Sequence, residues 1–140
     1  MNKTISNTTC HCLKMRRSAE NVIHFYDDIL ASSGLTVRQY SLLNKIKEYP
    51  KSNMRELGEY TELDRSTLAR SLKPLIKEGY ITDTKDKNAR DSKLVLSKEG
   101  AKVCDKASKL WDEAQERYEK LVGKQNVQQL EQLLEKLQNL

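Results

Sequence analysis

The stretch from Leu63 to Ile81, LDRSTLARSLKPLIKEGYI, constrains the fold of this chain more than any other. Its apolar residues recur at helical spacing, which predicts an inward helix face formed by Leu68, Leu72, Leu75 and Ile76. The opposite face carries hydroxyls and cations, at Ser66, Thr67, Arg70, Lys73, Pro74 and Lys77. Asp64 is placed to cap this helix and Gly79 to end it. Pro74, inside the pattern, is expected to bend it.

The segments on either side of this helix predict a winged helix-turn-helix. Asn53 and Glu56 have the spacing of a capping box, which predicts a short helix over MRELGEY, residues 54–60. Two helices joined by a short turn, the second rich in outward donors, indicate a helix-turn-helix. Two β-prone runs, 80–82 and 94–96, then flank a polar segment and predict a β-hairpin with a long tip. A hairpin in that position is a wing.

Apolar stripes at helical spacing predict four further helices, over residues 12–30, 37–49, 98–122 and 127–140. Thr36 and Ser97 are the expected N-caps of the second and third of these. The predicted fold class is therefore mainly α with a small β-hairpin wing.

Composition excludes several classes of protein. The formal net charge of +5 is too mild to indicate a partner by itself. The cysteine count of 3 is odd, which argues against a disulfide scaffold and fits a reducing compartment. No secretory signal and no apolar run of ~20 residues is found, so we expect a cytoplasmic protein without a membrane partner. Glycine-rich phosphate loops and paired acid–base residues are also missing, so we expect neither an enzyme nor a cofactor.

The polar face of the central helix has the chemistry of a surface that reads DNA. Arginine binds guanine O6 and N7 with two hydrogen bonds, and short hydroxyls approach phosphates and base edges closely. The alternative is an ordinary solvated face. Under the DNA hypothesis the major groove receives Arg65, Ser66, Thr67, Arg70 and Lys73. The wing residues Arg90 and Lys93 reach an adjacent minor groove, and Asn53 and Arg55 hold phosphates.

The order of these elements and three segments resemble the MarR family of winged-helix regulators, over nearly the whole chain. The segments are SGLTVRQYSLL, LGEYTELDRSTLARSLKPLIKEGYI and NARDSKLVLSKEG, at residues 33–43, 57–81 and 88–100. Two positions depart from the family pattern. Asn88 stands where an aspartate usually braces the wing arginine, here Arg90, and Ser97 stands where threonine is common.

The resemblance implies a homodimer on a pseudo-palindromic operator in double-stranded DNA. The apolar stripes support a dimer independently, because they exceed what a small winged domain covers. The alternative is that these helices pack on each other in a monomer. We expect a single MarR-like domain over residues 1–140, with a winged helix-turn-helix DNA-binding part at 34–100 and dimerisation helices at 9–33 and 101–140.

The expected function is that of a dimeric DNA-binding transcriptional regulator, a repressor released by a small ligand or by cysteine oxidation. The alternatives are a winged-helix module that binds other proteins and a thiol-based redox enzyme. The resemblance implies a phenolic or lipophilic effector between the dimer helices and the DNA-binding part. Its candidate residues are Arg17, Tyr26, Tyr40 and Trp111, which have ordinary packing as their alternative role.

The tripeptide Cys10-His11-Cys12 is the most unusual local feature of the sequence. A metal site there would need further ligands, because consecutive residues do not easily close one tetrahedral shell, and no metal is expected. A redox switch would use Cys10 and Cys12, with nearby cations favouring the reactive thiolate. Alternatively, Cys12 is simply an apolar residue on the stripe of the first helix.

Overall fold

The computed structural model describes residues 10–140, which form helices and one small sheet. Two helices come first, α1 at His11–Leu30 and α2 at Val37–Glu48, with a 3-10 turn at Ala31–Ser33 between them. The helix-turn-helix consists of α3, Met54–Thr61, and α4, Arg65–Lys77. The wing has strands β1, Ile81–Asp83, and β2, Leu94–Leu96, and is followed by α5, Lys98–Val122, and α6, Lys124–Gln138. The predicted fold class, mainly α with a hairpin wing, is confirmed.

The polar residues predicted to begin helices all act as N-caps. Each side chain accepts a hydrogen bond from the backbone N–H of the third helical residue, one of the groups that has no partner inside the helix. The distances are 3.1 Å for Thr36, 2.8 Å for Asn53, 2.8 Å for Asp64 and 3.0 Å for Ser97. The starts of α3 and α4 are therefore fixed by local sequence.

The wing is attached to the segment before α3. Strands β1 and β2 pair antiparallel, with Asp83 opposite Leu94. The Lys51 N–H donates to the Leu94 carbonyl at 2.8 Å, and the Leu94 N–H donates to the Ser52 carbonyl at 3.0 Å. These two bonds form an isolated β-bridge between Ser52 and Leu94, so the base of the wing and the segment before α3 are held together.

One hydrophobic core underlies the helix-turn-helix and continues along α5, which contacts α1, α2, α6 and β2. Its larger side chains are Tyr26, Leu30, Leu35, Tyr40, Leu42, Leu43, Ile46, Leu57, Leu68, Leu72, Leu75, Ile81 and Leu94. Gly100 allows a close approach at the start of α5, because a Cβ there would lie 2.0 Å from the Tyr80 carbonyl oxygen. The wing and the long helix are thus in direct backbone contact.

Apolar side chains remain exposed on several helices. The prediction that Ile76 faces the core is wrong, because its side chain is 50% exposed. Ile76 lies at the edge of the apolar arc, and α4 is buried through Leu68, Leu72 and Leu75 alone. Helix α6 has no buried residue at all. None of the helices within residues 10–140 combines the length and the apolar character needed to cross a bilayer.

Candidate nucleic-acid interface

Four of the predicted DNA-binding residues surround one open cleft, although they come from three separate segments. The cleft has a volume of about 690 Å³ and lies where α3, α4 and the wing tip meet. Asn53 and Arg55 come from the start of α3, Arg65 from the start of α4 and Arg90 from the wing. All three arginines are exposed. Guanidinium groups converging on a concave surface favour the binding of phosphate.

The α3 side of this cleft already has internal partners. Arg55 Nη1 donates to Glu59 Oε1 at 3.0 Å, and both side chains are largely exposed. Such a surface ion pair is weak, so Arg55 can exchange its carboxylate for a phosphate. The Asn53 Oδ1 atom is used in the helix cap. The Asn53 side-chain amide N–H groups remain the atoms with which it can contact a phosphate.

Asp64 organises the first turn of α4. Its Oδ1 accepts hydrogen bonds from the Thr67 N–H at 2.8 Å and the Ser66 hydroxyl at 3.0 Å, and its Oδ2 accepts from the Thr67 hydroxyl at 3.0 Å. These bonds, the Thr67 N–H first, hold the pKa of the Asp64 carboxyl below its usual value. Arg70 Nη2 donates to the Thr67 hydroxyl at 3.4 Å. Asp64 therefore links Ser66, Thr67 and Arg70, three of the five residues predicted for the major groove, in one network.

The rest of α4 presents the predicted polar face. Arg65, Ser66, Arg70 and Lys73 are exposed, and Thr67 is half-buried. Pro74 lies inside the helix, which continues to Lys77, and the Glu78 N–H donates to the Pro74 carbonyl at 3.0 Å. Proline has no N–H to donate to the carbonyl four residues earlier. The bend expected at Pro74 stays a prediction.

A second cleft, of about 700 Å³, runs along the other flank of α4 and is bounded by α2 and the end of α3. Two α2 cations that the sequence analysis does not single out, Arg38 and Lys45, line it opposite Thr67 and Ser71 of α4. The sequence contains a signal for them, since residues seven apart lie on one helix face. Only the fold brings that face of α2 to the same cleft as α4.

The predicted effector residues are only partly brought together. Tyr26 and Trp111 line a cleft of about 400 Å³ bounded mainly by α1, α5 and α6. The Tyr26 hydroxyl donates to Gln115 Oε1, and burial is the main cause that raises the pKa of Tyr26. Tyr40 is buried with its ring centre 6.2 Å from that of Trp111 but does not line the cleft. Arg17 is exposed on α1 and is not among the residues that line this cleft.

The two cysteines of the predicted redox switch are exposed. Cys10 precedes α1 and Cys12 lies in its first turn, and both are free thiols. Cys104 is also free but buried, and its burial raises the pKa of the thiol. Within residues 10–140, no group of three or more His, Cys, Asp or Glu side chains is placed to hold a metal ion. Of the described cysteines, Cys10 and Cys12 are therefore the pair that an oxidant in solution can reach.

The capped helix pair, the outward polar face of α4 and the adjoining hairpin define a winged helix-turn-helix protein. The MarR family profile matches residues 33–90. The HTH-type transcriptional regulator SarZ of Staphylococcus epidermidis is 32% identical over 93 residues, which are 66% of this chain and 63% of SarZ. The matched segment thus spans less than two thirds of that curated relative.

Solved structures extend the similarity to almost the whole chain. The Mycobacterium tuberculosis transcriptional regulator MosR, in complex with DNA, has a TM-score of 0.72 and 30% identity, covering 91% of this chain and 98% of MosR. PcaV from Streptomyces coelicolor, in complex with its natural ligand, has a TM-score of 0.80 and 22% identity, covering 94% and 93%. The chain belongs to the MarR family. Since members of this family are transcriptional regulators, the prediction that the protein is not an enzyme is confirmed.

Proposed function

We propose that the protein is a cytoplasmic homodimer that binds a pseudo-palindromic operator in double-stranded DNA. It represses transcription until a small phenolic or lipophilic ligand, or cysteine oxidation, releases it. Helix α4 enters the major groove with Arg65, Ser66, Thr67, Arg70 and Lys73. Arg90 and Lys93 of the wing reach an adjacent minor groove, and Asn53 and Arg55 hold phosphates.

The observation that carries this proposal is the convergence of Arg55, Arg65 and Arg90 on the cleft beside the outward face of α4. The carboxylates of Glu59 and Asp91 line the same cleft, so the three arginines leave it with a net positive charge. Arginine suits the role because its planar group binds phosphate with two parallel hydrogen bonds and is attracted to a narrow minor groove. The relative MosR, 30% identical, was crystallised with DNA, which supports the same class of partner here.

The proposed homodimer explains the apolar surface on the terminal helices. Leu13 on α1 and Leu133 on α6 are 53% and 55% exposed, and Leu134 and Leu137 are also open. Soluble monomers rarely expose long apolar stripes, so a second copy of the chain is the proposed cover. The proposed dimerisation helices are residues 9–33 and 101–140, of which residue 9 lies outside the described residues. A two-fold dimer would present its two α4 helices to half-sites about 10 bp apart.

Release of the operator is proposed to act through α1. This helix carries the exposed Cys12 near its start and Tyr26, which lines the cleft shared with α5 and α6. Oxidation at Cys10 and Cys12 would disturb the first turn of α1, whereas a ligand beside Tyr26 and Trp111 would push α1 and α6 apart. The relative PcaV was crystallised with its natural ligand, which supports the second route.

A DNA-binding titration with Arg70→Ala tests the proposal. The probe is a duplex that the wild-type protein selects from a randomised library, with a scrambled duplex of the same composition beside it. We expect the substitution to weaken binding to the selected duplex by ~1–3 kcal/mol and to relax the preference at one base pair. Lys109→Ala, which removes an exposed cation from α5, is the matched control and should change neither affinity.

The outcomes of this titration are distinct. Equal loss on the selected and scrambled duplexes would make Arg70 a phosphate contact without a role in sequence preference. Failure of the wild-type protein to bind any duplex at low ionic strength would contradict the proposed function.

A second candidate function is a winged-helix module that binds other proteins, favoured by the mixed charge of the wing tip. Asp86 and Asp91 lie there beside Lys87 and Arg90, and all four are exposed. Salt dependence separates the two candidates. Binding to DNA through several phosphates falls steeply between low and moderate salt because counterions are released, which a protein partner with mixed charge does not reproduce.

A further inference from the structure

We propose that Asp83 is a positioning residue for the wing, whose carboxylate closes the base of the wing tip and so holds Arg90 beside the cleft next to α4. The inference rests on the proposed function, because Arg90 matters there as a contact to DNA. Asp83 itself is not proposed to touch DNA.

The contacts of Asp83 join the two ends of the wing tip. Its Oδ1 accepts hydrogen bonds from the backbone N–H of Lys85 at 3.1 Å and from that of Lys93 at 2.9 Å. Thr84 reinforces the closure, because its N–H and its hydroxyl both donate to the Lys93 carbonyl, at 2.8 and 3.0 Å. One carboxylate oxygen therefore cross-links residues that lie eight positions apart in the sequence, just beyond the paired strands.

The carboxylate is suited to this role because it is charged at neutral pH. Its pKa is lowered, with the hydrogen bond from the Lys93 N–H as the largest cause and those from the Lys85 N–H and the Ser92 side chain behind it. Hydrogen bonds to a charged acceptor are stronger than those between neutral groups. Ser92 also lines the cleft together with Arg90, so the closed base and the cleft wall are contiguous.

Arg90 depends on this backbone for its position. Among residues 10–140, no other side chain forms a hydrogen bond or an ion pair with the Arg90 side chain. Inside the tip, one turn is closed by the Ala89 N–H donating to the Asp86 carbonyl at 2.9 Å. The position of the Arg90 backbone is therefore set by where the tip is anchored, and the Asp83 side chain bonds to both ends of the tip.

Simple electrostatics predicts the opposite effect of removing Asp83 on the affinity for DNA. A carboxylate on a wing that faces phosphates repels them, so its removal should tighten binding to DNA. If Asp83 positions Arg90, its removal should weaken binding instead. Asparagine retains an Oδ1 that accepts both backbone hydrogen bonds without the charge, whereas alanine loses both bonds.

The test compares Asp83→Ala, Asp83→Asn and the control Asp86→Ala on the duplex selected by the wild-type protein. We expect Asp83→Ala to lower affinity about five-fold, the equivalent of one ordinary hydrogen bond, and Asp83→Asn to fall between it and the wild type. Asp86→Ala removes the same charge from the same tip without opening its base, and should bind as tightly as the wild type or more tightly.

Two further measurements separate positioning from other roles. In an Arg90→Ala background, Asp83→Ala should cost much less affinity than in the wild-type background, because most of its effect passes through Arg90 and only the part that passes through Lys93 remains. Without DNA, amide exchange at Lys93 should be faster in Asp83→Ala than in the wild type.

Unchanged or tighter binding by Asp83→Ala overturns the inference, as does a full five-fold loss that persists in the Arg90→Ala background. A wild-type protein that binds no duplex overturns the proposed function instead. In that case amide exchange at Lys93 still tests whether Asp83 closes the wing tip. Unchanged protection of the Lys93 amide in Asp83→Ala would show that it does not.

Discussion

Asp64 couples the stability of α4 to the order of its proposed DNA-contacting hydroxyls. The same carboxylate caps the helix and holds Ser66 and Thr67. These bonds favour its charged form, so its pKa is lower in the folded state than in the unfolded chain. By linkage, the stabilisation is fully present above the unfolded pKa of about 3.9 and is lost as pH falls through the folded pKa. Order in the first turn is therefore expected to be insensitive to pH near neutrality.

The first prediction concerns Asp64→Ala. At neutral pH we expect a lower midpoint of thermal unfolding than in the wild type, because α4 loses its cap. The difference should shrink as pH is lowered through the folded pKa, since the wild-type carboxylate is then protonated too. Circular dichroism melts at neutral and acidic pH measure both effects. Asp105→Ala on α5 is the control, and a difference for Asp64→Ala that persists undiminished in acid would contradict the assignment.

The sequence predicts the role of a residue when that role depends on its near neighbours in the chain. Thr36, Asn53, Asp64 and Ser97 cap helices because a cap bonds to an N–H three residues away. Ile76 shows where this logic ends. Its helical phase agrees with a core position, but burial depends on what packs against that part of α4, which lies outside the local pattern.

At the scale of elements, helices and wing follow from periodicity, but their mutual placement does not. The sequence marks Arg55, Arg65 and Arg90 as cations of separate segments, and only folding gathers them around one cleft. Periodicity likewise does not show that Arg38 of α2 lines a cleft with α4. The same limit applies to Arg17, which a family resemblance groups with the effector residues but which is not among the residues that line the cleft of Tyr26 and Trp111.

The start of α1 carries the two exposed cysteines on which the proposed redox release depends. We predict that peroxide weakens binding of the wild-type protein to its selected duplex and that a thiol reductant restores it, because Cys10 and Cys12 are exposed. Cys10→Ser and Cys12→Ser should each reduce the response. Cys104→Ser should retain it, because the Cys104 thiol is buried and its raised pKa disfavours the reactive thiolate. Affinity that is unchanged by peroxide would leave the ligand cleft as the proposed route of release.

At the scale of the whole molecule, the open apolar surface supports the proposed homodimer. Val127 and Leu130 of α6 are half-buried but lie outside the hydrophobic core, and beyond them Leu133, Leu134 and Leu137 are exposed. A second copy is the economical cover, because two-fold symmetry brings the same stripe from both chains together. It also duplicates α4, which a pseudo-palindromic operator needs.

The last prediction is that charge on this stripe separates the protomers and thereby weakens DNA binding. We expect the wild-type protein to sediment as a dimer and the double variant Leu133→Lys, Leu137→Lys as a monomer, because a buried lysine at the interface is left without a partner. Its affinity for the selected duplex should fall, since the two half-sites are no longer bound as one unit.

The control Gln132→Lys adds a positive charge to the opposite face of α6, and should leave both the dimer and the affinity intact. Sedimentation velocity and titration of the same samples decide the matter, and a wild-type monomer that binds the duplex with full affinity would rule out the proposed assembly.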